Sequence, residues 1–219
     1  MYDRFVRIKK SNRALLFVCS IVHGGQDRLR WMYQFAEASG EVLADTILGT
    51  KYDTIVKLTG PGITRQAFVE TLNRLGLNPQ IEAIDVIMMV HGLPGKLCFQ
   101  DGDATVSKLA REIRDLGIQP KLRLYYSTAC FGASHAEYML AAGFDAAVGA
   151  VGENCNSATE YPTVLTMWAW GHSIKDAVAS GETAITRIPA DAMARALGFR
   201  KANSDKELFG KLGTKIDRV

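Results

Sequence analysis

The chain has 219 residues, of which 47% are apolar and 22% charged, with a net charge of +3. That length can bury a full core without covalent staples, and the balance excludes collagen-like, disordered and multi-span membrane classes. Four scattered cysteines, Cys19, Cys98, Cys130 and Cys155, form no CxxC or CxxH pair, which argues for free thiols in a reducing, cytoplasmic setting and against a disulfide framework or a structural zinc site.

The charge excess is local. Residues 1–188 hold 19 basic and 19 acidic side chains, whereas residues 189–219 hold 7 basic and 4 acidic. Mixed signs without a dense basic patch read as a solvated, helical and basic tail, frayed at its end, on one domain spanning 1–188. No nucleic-acid partner is expected. Arg4, Arg7, Lys9, Lys10 and Arg13 precede the apolar run Ala14–Val22, the outline of a secretion signal. The run is too short to span a bilayer and no clear small-x-small cleavage site follows it, so it is read as a buried strand, with no membrane partner.

That run, Ala14–Val22, is the first strand and ends at Gly24-Gly25. Arg28–Ser39 places Leu29, Met32, Tyr33 and Ala36 on one helical stripe. Thr54–Leu58 is a second strand, closed by Gly60-Pro61-Gly62, and Thr64–Leu77 a helix with Phe68, Leu72 and Leu75 aligned. Ala83–Val90 is the third and most apolar strand. Leu97–Asp103 reads as a hairpin turning at Asp101-Gly102, Ser107–Leu116 as a helix and Leu122–Tyr126 as the fourth strand. Ser134-His-Ala-Glu137 has the spacing of a capping box, which predicts a helix straight after it and an exposed His135. Ala146–Val151 is the fifth strand. From about Thr159 to Leu197 the pattern is helical, broken at Gly171 and capped afresh at Ser173. Trp31, Trp168 and Trp170 read as packing residues, His172 as structural, and Cys19 and Cys98 as core. Strands alternating with helices predict an α/β fold with a mostly parallel central sheet and helices on both faces.

In such sheets function gathers beyond the carboxyl ends of the strands. There the chain places His23-Gly24-Gly25-Gln26, His91-Gly92, Ser127-Thr-Ala-Cys130-Phe-Gly132 and Gly152-Glu153-Asn154-Cys155-Asn156. His91 and Cys130 end two successive strands. If those strands pair, a spacing of about 4.8 Å makes a thiol–imidazole interaction feasible. The imidazole would activate the thiol and protonate a leaving group. Gly92 leaves room for a substrate carbonyl, and its N–H with that of Cys130 would form an oxyanion hole. A helix N-terminus near Cys130 would favour the thiolate. The rival reading of Cys130 is a small buried strand-end residue.

The pattern resembles the caspase-like cysteine peptidases, a group that includes caspases, gingipains, clostripain-like enzymes and CHAT domains. The residues that carry the resemblance are Ile84-Asp-Val-Ile-Met-Met-Val-His91-Gly92 and Leu122-Arg-Leu-Tyr-Tyr-Ser-Thr-Ala129-Cys130, followed by Ala136–Gly149 and Gly171–Val178. The match covers roughly residues 12–188. It implies a three-layer sandwich and a cysteine endopeptidase with Cys130 as nucleophile and His91 as general acid/base. It further implies a peptide or protein substrate, and no cofactor or metal is expected. Only 15 residues lie between Cys130 and the fifth strand, too few for the processing linker of caspases, so a single-chain enzyme is expected. A second departure is the lack of an acidic partner for His91.

Substrate-binding candidates are His23, Gln26 and Arg28 after the first strand and Glu153 with Asn154 after the fifth. Arg28 would read an acidic residue before the scissile bond, and Glu153 a basic one; the reading leans to basic. Two alternatives stand beside the peptidase. One is a non-catalytic caspase-like module working through a partner protein or larger assembly. The other is an α/β thiol hydrolase acting on a small amide or ester.

Overall fold

The computed structural model describes residues 7–60 and 63–218; Arg4 of the basic stretch and Pro61-Gly62 of the glycine turn lie outside them. Among the described residues, nine strands form two sheets. The main one contains β1 (Arg13–Ser20), β2 (Thr54–Thr59), β3 (Ala83–Val90), β7 (Leu122–Ser127), β8 (Ala146–Ala150) and β9 (Lys206–Gly210), in the order 2-1-3-7-8-9. The first five are parallel, and β9 pairs antiparallel with β8. The small sheet joins β4 (Gly92–Leu93), β5 (Lys96–Phe99) and β6 (Gly102–Thr105). No helix among the described residues is long and apolar enough to cross a membrane.

The continuous apolar runs are explained by burial on both faces. In β1, Ala14, Leu16 and Val18 pack with Phe68 and Leu72 of α2 (Arg65–Leu77), Leu109 and Ile113 of α3 (Val106–Asp115) and Met139 of α4 (Ala133–Ala142). Leu15, Phe17 and Cys19 face the other layer, with Val164, Leu165 and Trp168 of α5 (Ser157–Ala169) and Ile174 and Val178 of α6 (Ile174–Gly181). Helix α1 (Arg30–Leu43) joins that second layer, its buried Gly40 set against Met89 and Phe17. The result is the expected three-layer α/β sandwich.

Near the amino ends of the strands, Arg123 donates through Nε to Asp85 Oδ1 at 2.9 Å and through Nη1 to the Ile216 carbonyl at 2.5 Å. Tyr52 donates to the same carboxylate and accepts from Trp168 Nε1 at 3.1 Å. Both charged side chains are 1% exposed, so each depends on the other for compensation.

Several local expectations are corrected. Residues 189–218 do not fray: after α7 (Ala184–Ala196) they supply β9, and Ser204, Lys206 and Ile216 are buried. Lys206 stays buried because its Nζ lies 3.0 Å from Glu160 Oε2. The capping box does not form. Helix α4 starts at Ala133, and Ser134 Oγ donates to the Phe131 carbonyl and accepts from Gly95 N–H at 2.9 Å. The hairpin turns one residue early, since Phe99 pairs with Gly102. Trp168 packs in the core, but Trp31 and Trp170 are exposed, and Cys98 is only half-buried. The cap at Ser173 forms as read, accepting from Asp176 N–H at 3.1 Å.

Candidate active site

Strands β3 and β7 are neighbours, paired up to Met88 opposite Ser127, and Thr128 N–H donates to the Met88 carbonyl at 3.0 Å. His91 and Cys130 therefore sit at adjacent strand tips. The backbones beyond the tips are in contact: a Cβ on Gly92 would overlap the carbonyl oxygen of Cys130 and come within 3.1 Å of Ala129 Cβ. Glycine is required there by the close approach of two chains.

His91 is held by its surroundings. Its Nε2 lies 2.7 Å from the Ile21 carbonyl oxygen, and its ring stands edge-on to Tyr33 at a centroid distance of 5.2 Å. A ring nitrogen facing a carbonyl carries the proton, which leaves Nδ1 as the basic atom of the neutral ring. Burial lowers the imidazole pKa, His23 nearby lowers it further, and the Ile21 bond opposes both.

Cys130 is half-buried in the turn between β7 and α4. Phe131, the next residue, has φ 57°, the sole non-glycine in the left-handed region among the described residues. Its N–H donates to the Gly152 carbonyl at 2.7 Å, and Lys201 Nζ lies 5.9 Å from the ring centroid. Burial pushes the Cys130 thiol up; the Asn154 backbone N–H opposes this, Glu153 adds to it, and Lys206 opposes it. Desolvation is the largest of these influences and favours the protonated thiol, against the thiolate expected from the helix end. Both shifts favour the neutral forms, thiol for Cys130 and imidazole for His91.

The other candidates are placed as follows. His23 is exposed and lines a cleft of about 560 Å³ with Gly24, Gly25, Asp27 and Arg30. That cleft opens past the ends of β1 and β2 beside α1, with Gln34, Glu37 and Gly60 in its lining; neither His91 nor Cys130 lines it. Arg28 does not face it. Its guanidinium donates to Gln26 Oε1 at 2.8 Å and to the Leu197 carbonyl at 2.6 Å. Glu153 accepts from Lys201 N–H at 2.8 Å, and Asn154 Nδ2 donates to the Thr128 carbonyl at 2.9 Å. Asn154 thereby braces the segment that leads to Cys130, while Glu153 is tied to Lys201. The Cys155 thiol is half-buried and pushed up to about 12 by burial. An enclosed cavity of about 10 Å³ beneath Tyr52 and Trp168 is too small for a substrate.

Sequence reading did not mark Tyr33, Phe131 or His135 as site residues. His135 is 0% exposed, not solvated. The signal for it was present: His135, Met139 and Ala142 stand at i, i+4 and i+7, and all three are buried. Phe131 offered no signal, because its backbone angle depends on the contact with Gly152.

No protein-family model matches the sequence, and no curated protein matches it. Among solved structures the chain is similar to a secreted C11 cysteine protease from Bacteroides thetaiotaomicron, solved with an irreversible peptide inhibitor. The TM-score is 0.53 at 11% identity, over 80% of this chain and 58% of that one. The chain thus spans less than two thirds of that protein's length. The likeness establishes the fold: mixed α/β, with a mostly parallel six-stranded sheet, of the caspase-like kind.

Proposed function

We propose that the chain is a cysteine peptidase acting by acyl transfer on peptide or protein substrates. The observation that carries this reading is the pairing of β3 with β7, which sets His91 and Cys130 at adjacent strand tips. The shared fold with a cysteine protease supports it.

In this reading the Cys130 sulfur attacks the substrate carbonyl carbon as its proton passes to His91 Nδ1. The N–H groups of Gly92 and Cys130 hold the oxyanion. Gly92 pairs opposite Leu97, and Cys98 N–H donates to the His91 carbonyl at 2.9 Å. That pattern makes Gly92 a non-hydrogen-bonded position of the ladder, so β5 leaves its N–H unused. The imidazolium then protonates the departing amine, and water, deprotonated by His91, hydrolyses the thioester. The leaving amine departs on the His91 side, where the imidazolium protonates it.

The proposal includes a single-chain enzyme. The segment after Cys130 is α4, with Ala136, Met139 and Ala142 buried, which offers a protease no loose linker. A fluorogenic peptide library assayed with wild type, Cys130→Ala and His91→Ala tests the whole reading. Hydrolysis by wild type alone is expected; equal signals in all three overturn it. Intact mass of the active protein should show no cut between 131 and 146.

A further inference from the structure

His135 is the one fully buried histidine among the described residues. It lies in the first turn of α4, directly after the nucleophile turn, yet its contacts reach the segment that follows His91. Its Nε2 is 2.8 Å from the Leu93 carbonyl oxygen. Its Cε1 would come within 2.9 Å of a Cβ on Gly92, so the ring lies flush against that glycine. Beside it, Ser134 Oγ accepts from Gly95 N–H at 2.9 Å. The first turn of α4 therefore grips the backbone from Gly92 to Gly95 at three points. The Nδ1 atom of His135 is buried without a hydrogen-bond partner among the described residues. An apolar side chain of similar size would fill the space without leaving a buried acceptor unpaired. What the imidazole adds is polar contact with the backbone of this segment, to Leu93 first and to Lys96 second.

We propose that His135 is a positioning residue for the oxyanion hole. Its bond to Leu93 and its contact with Gly92 hold the 91–93 backbone, so that the Gly92 N–H keeps its direction toward the carbonyl attacked by Cys130. The inference rests on the peptidase reading above. Residues 130–135 then carry the thiol, one oxyanion donor and the clamp on the second donor in a single short segment. The two donors are fixed relative to each other, which is the condition for stabilising charge without reorganisation.

The test compares wild type, His135→Leu and His135→Gln. Leucine fills the volume without a donor, and glutamine carries an amide N–H near the reach of Nε2. Two quantities are measured: kcat and KM on the best library peptide, and the rate of Cys130 alkylation by iodoacetamide. Alkylation displaces iodide at a saturated carbon and develops no oxyanion, so it reports the thiol alone. His135→Leu should lower kcat by about 10- to 100-fold with KM within about twofold, alkylation should stay within about twofold, and His135→Gln should recover most of kcat. Wild-type kcat in His135→Leu overturns the inference, as does parallel loss of kcat and alkylation, or a glutamine variant no better than leucine. Should His135→Leu not fold, His135→Asn makes the same comparison, because its shorter amide stops short of Leu93; wild-type kcat there overturns the inference equally. A wild type whose Cys130 is alkylated but which cleaves no peptide overturns the peptidase reading, and this inference with it.

Discussion

The imidazole of His91 is tied through Nε2 to the carbonyl oxygen of Ile21, 2.7 Å away, across the junction of β1 and β3. The bond fixes which nitrogen holds the proton, and burial keeps the ring neutral. Cys130 is raised by burial as well. Its thiolate is therefore scarce at neutral pH, and in the proposed reaction the proton leaves the sulfur as the bond to substrate forms.

This has a pH signature. A raised thiol pKa means that the reactive anion is gained only as pH climbs. Alkylation of Cys130 by iodoacetamide should rise about tenfold per unit between about pH 7 and about pH 9, without a plateau. A lowered His91 pKa means that the base is lost only in acid, so kcat/KM should hold down to below about pH 6.5 before it falls. A plateau in alkylation reached in mild acid would reveal a thiolate–imidazolium pair and refute the neutral resting state.

Glu153 bears on the same thiol. Its carboxylate raises the Cys130 pKa, so removing the charge should make the thiolate easier to form. Glu153→Gln is expected to speed alkylation at neutral pH by a few-fold, because an amide at that position adds no like charge. The same variant tests the basic preference before the scissile bond. Loss of Arg or Lys selectivity would support a pocket role for Glu153, and unchanged selectivity would leave it as a brace bonded to Lys201.

Gly92 tolerates no side chain. The methyl of Gly92→Ala would meet the Cys130 carbonyl oxygen, a backbone atom that cannot rotate away. Separation of the two strand tips would misplace both proposed oxyanion donors. A fall in kcat of at least about 10²-fold is expected, with destabilisation of about 1–3 kcal/mol by denaturant titration. Near-normal kcat would show that the N–H groups at these tips do not serve the reaction.

Stability depends on a different place. Asp85 lies two residues into β3, about 20 Å from His91 along the strand rise, and its buried partner is Arg123. Asp85→Ala leaves that guanidinium buried without its counter-charge. A loss of about 3–5 kcal/mol is expected in urea unfolding, with Cys130 alkylation of the folded fraction unchanged. A loss under 1 kcal/mol would show that Arg123 is compensated by other groups.

Much of this architecture was legible before folding. The alternation of apolar runs with helical stripes named the five parallel strands; four of them, β1, β3, β7 and β8, are buried on both faces and hence nearly continuously apolar, while β2 is a half-buried edge. It also named the two strands whose tips carry His91 and Cys130. Leu109 and Ile113, Phe68 and Leu72, and the cap at Ser173 all fell where local periodicity and local hydrogen bonding put them.

What periodicity missed depends on partners far away in sequence. Residues 206–210, Lys-Glu-Leu-Phe-Gly, look like a solvated tail, and they become β9 only because β8 offers an edge and Glu160 a carboxylate for Lys206. Ser134 has the spacing of a cap, but Phe131 and Gly95 take its hydroxyl instead.

By itself, then, the sequence determined the order of layers and brought one histidine and one cysteine to strand ends, because burial and hydrogen bonding within a segment are local free energies. Only the tertiary structure decided the state of the site. It decided that burial raises the Cys130 thiol, that Arg28 is engaged by Leu197, and that His135 is buried against Gly92. Each of these turns on the field and packing of residues dozens of positions apart, which no one-dimensional pattern carries.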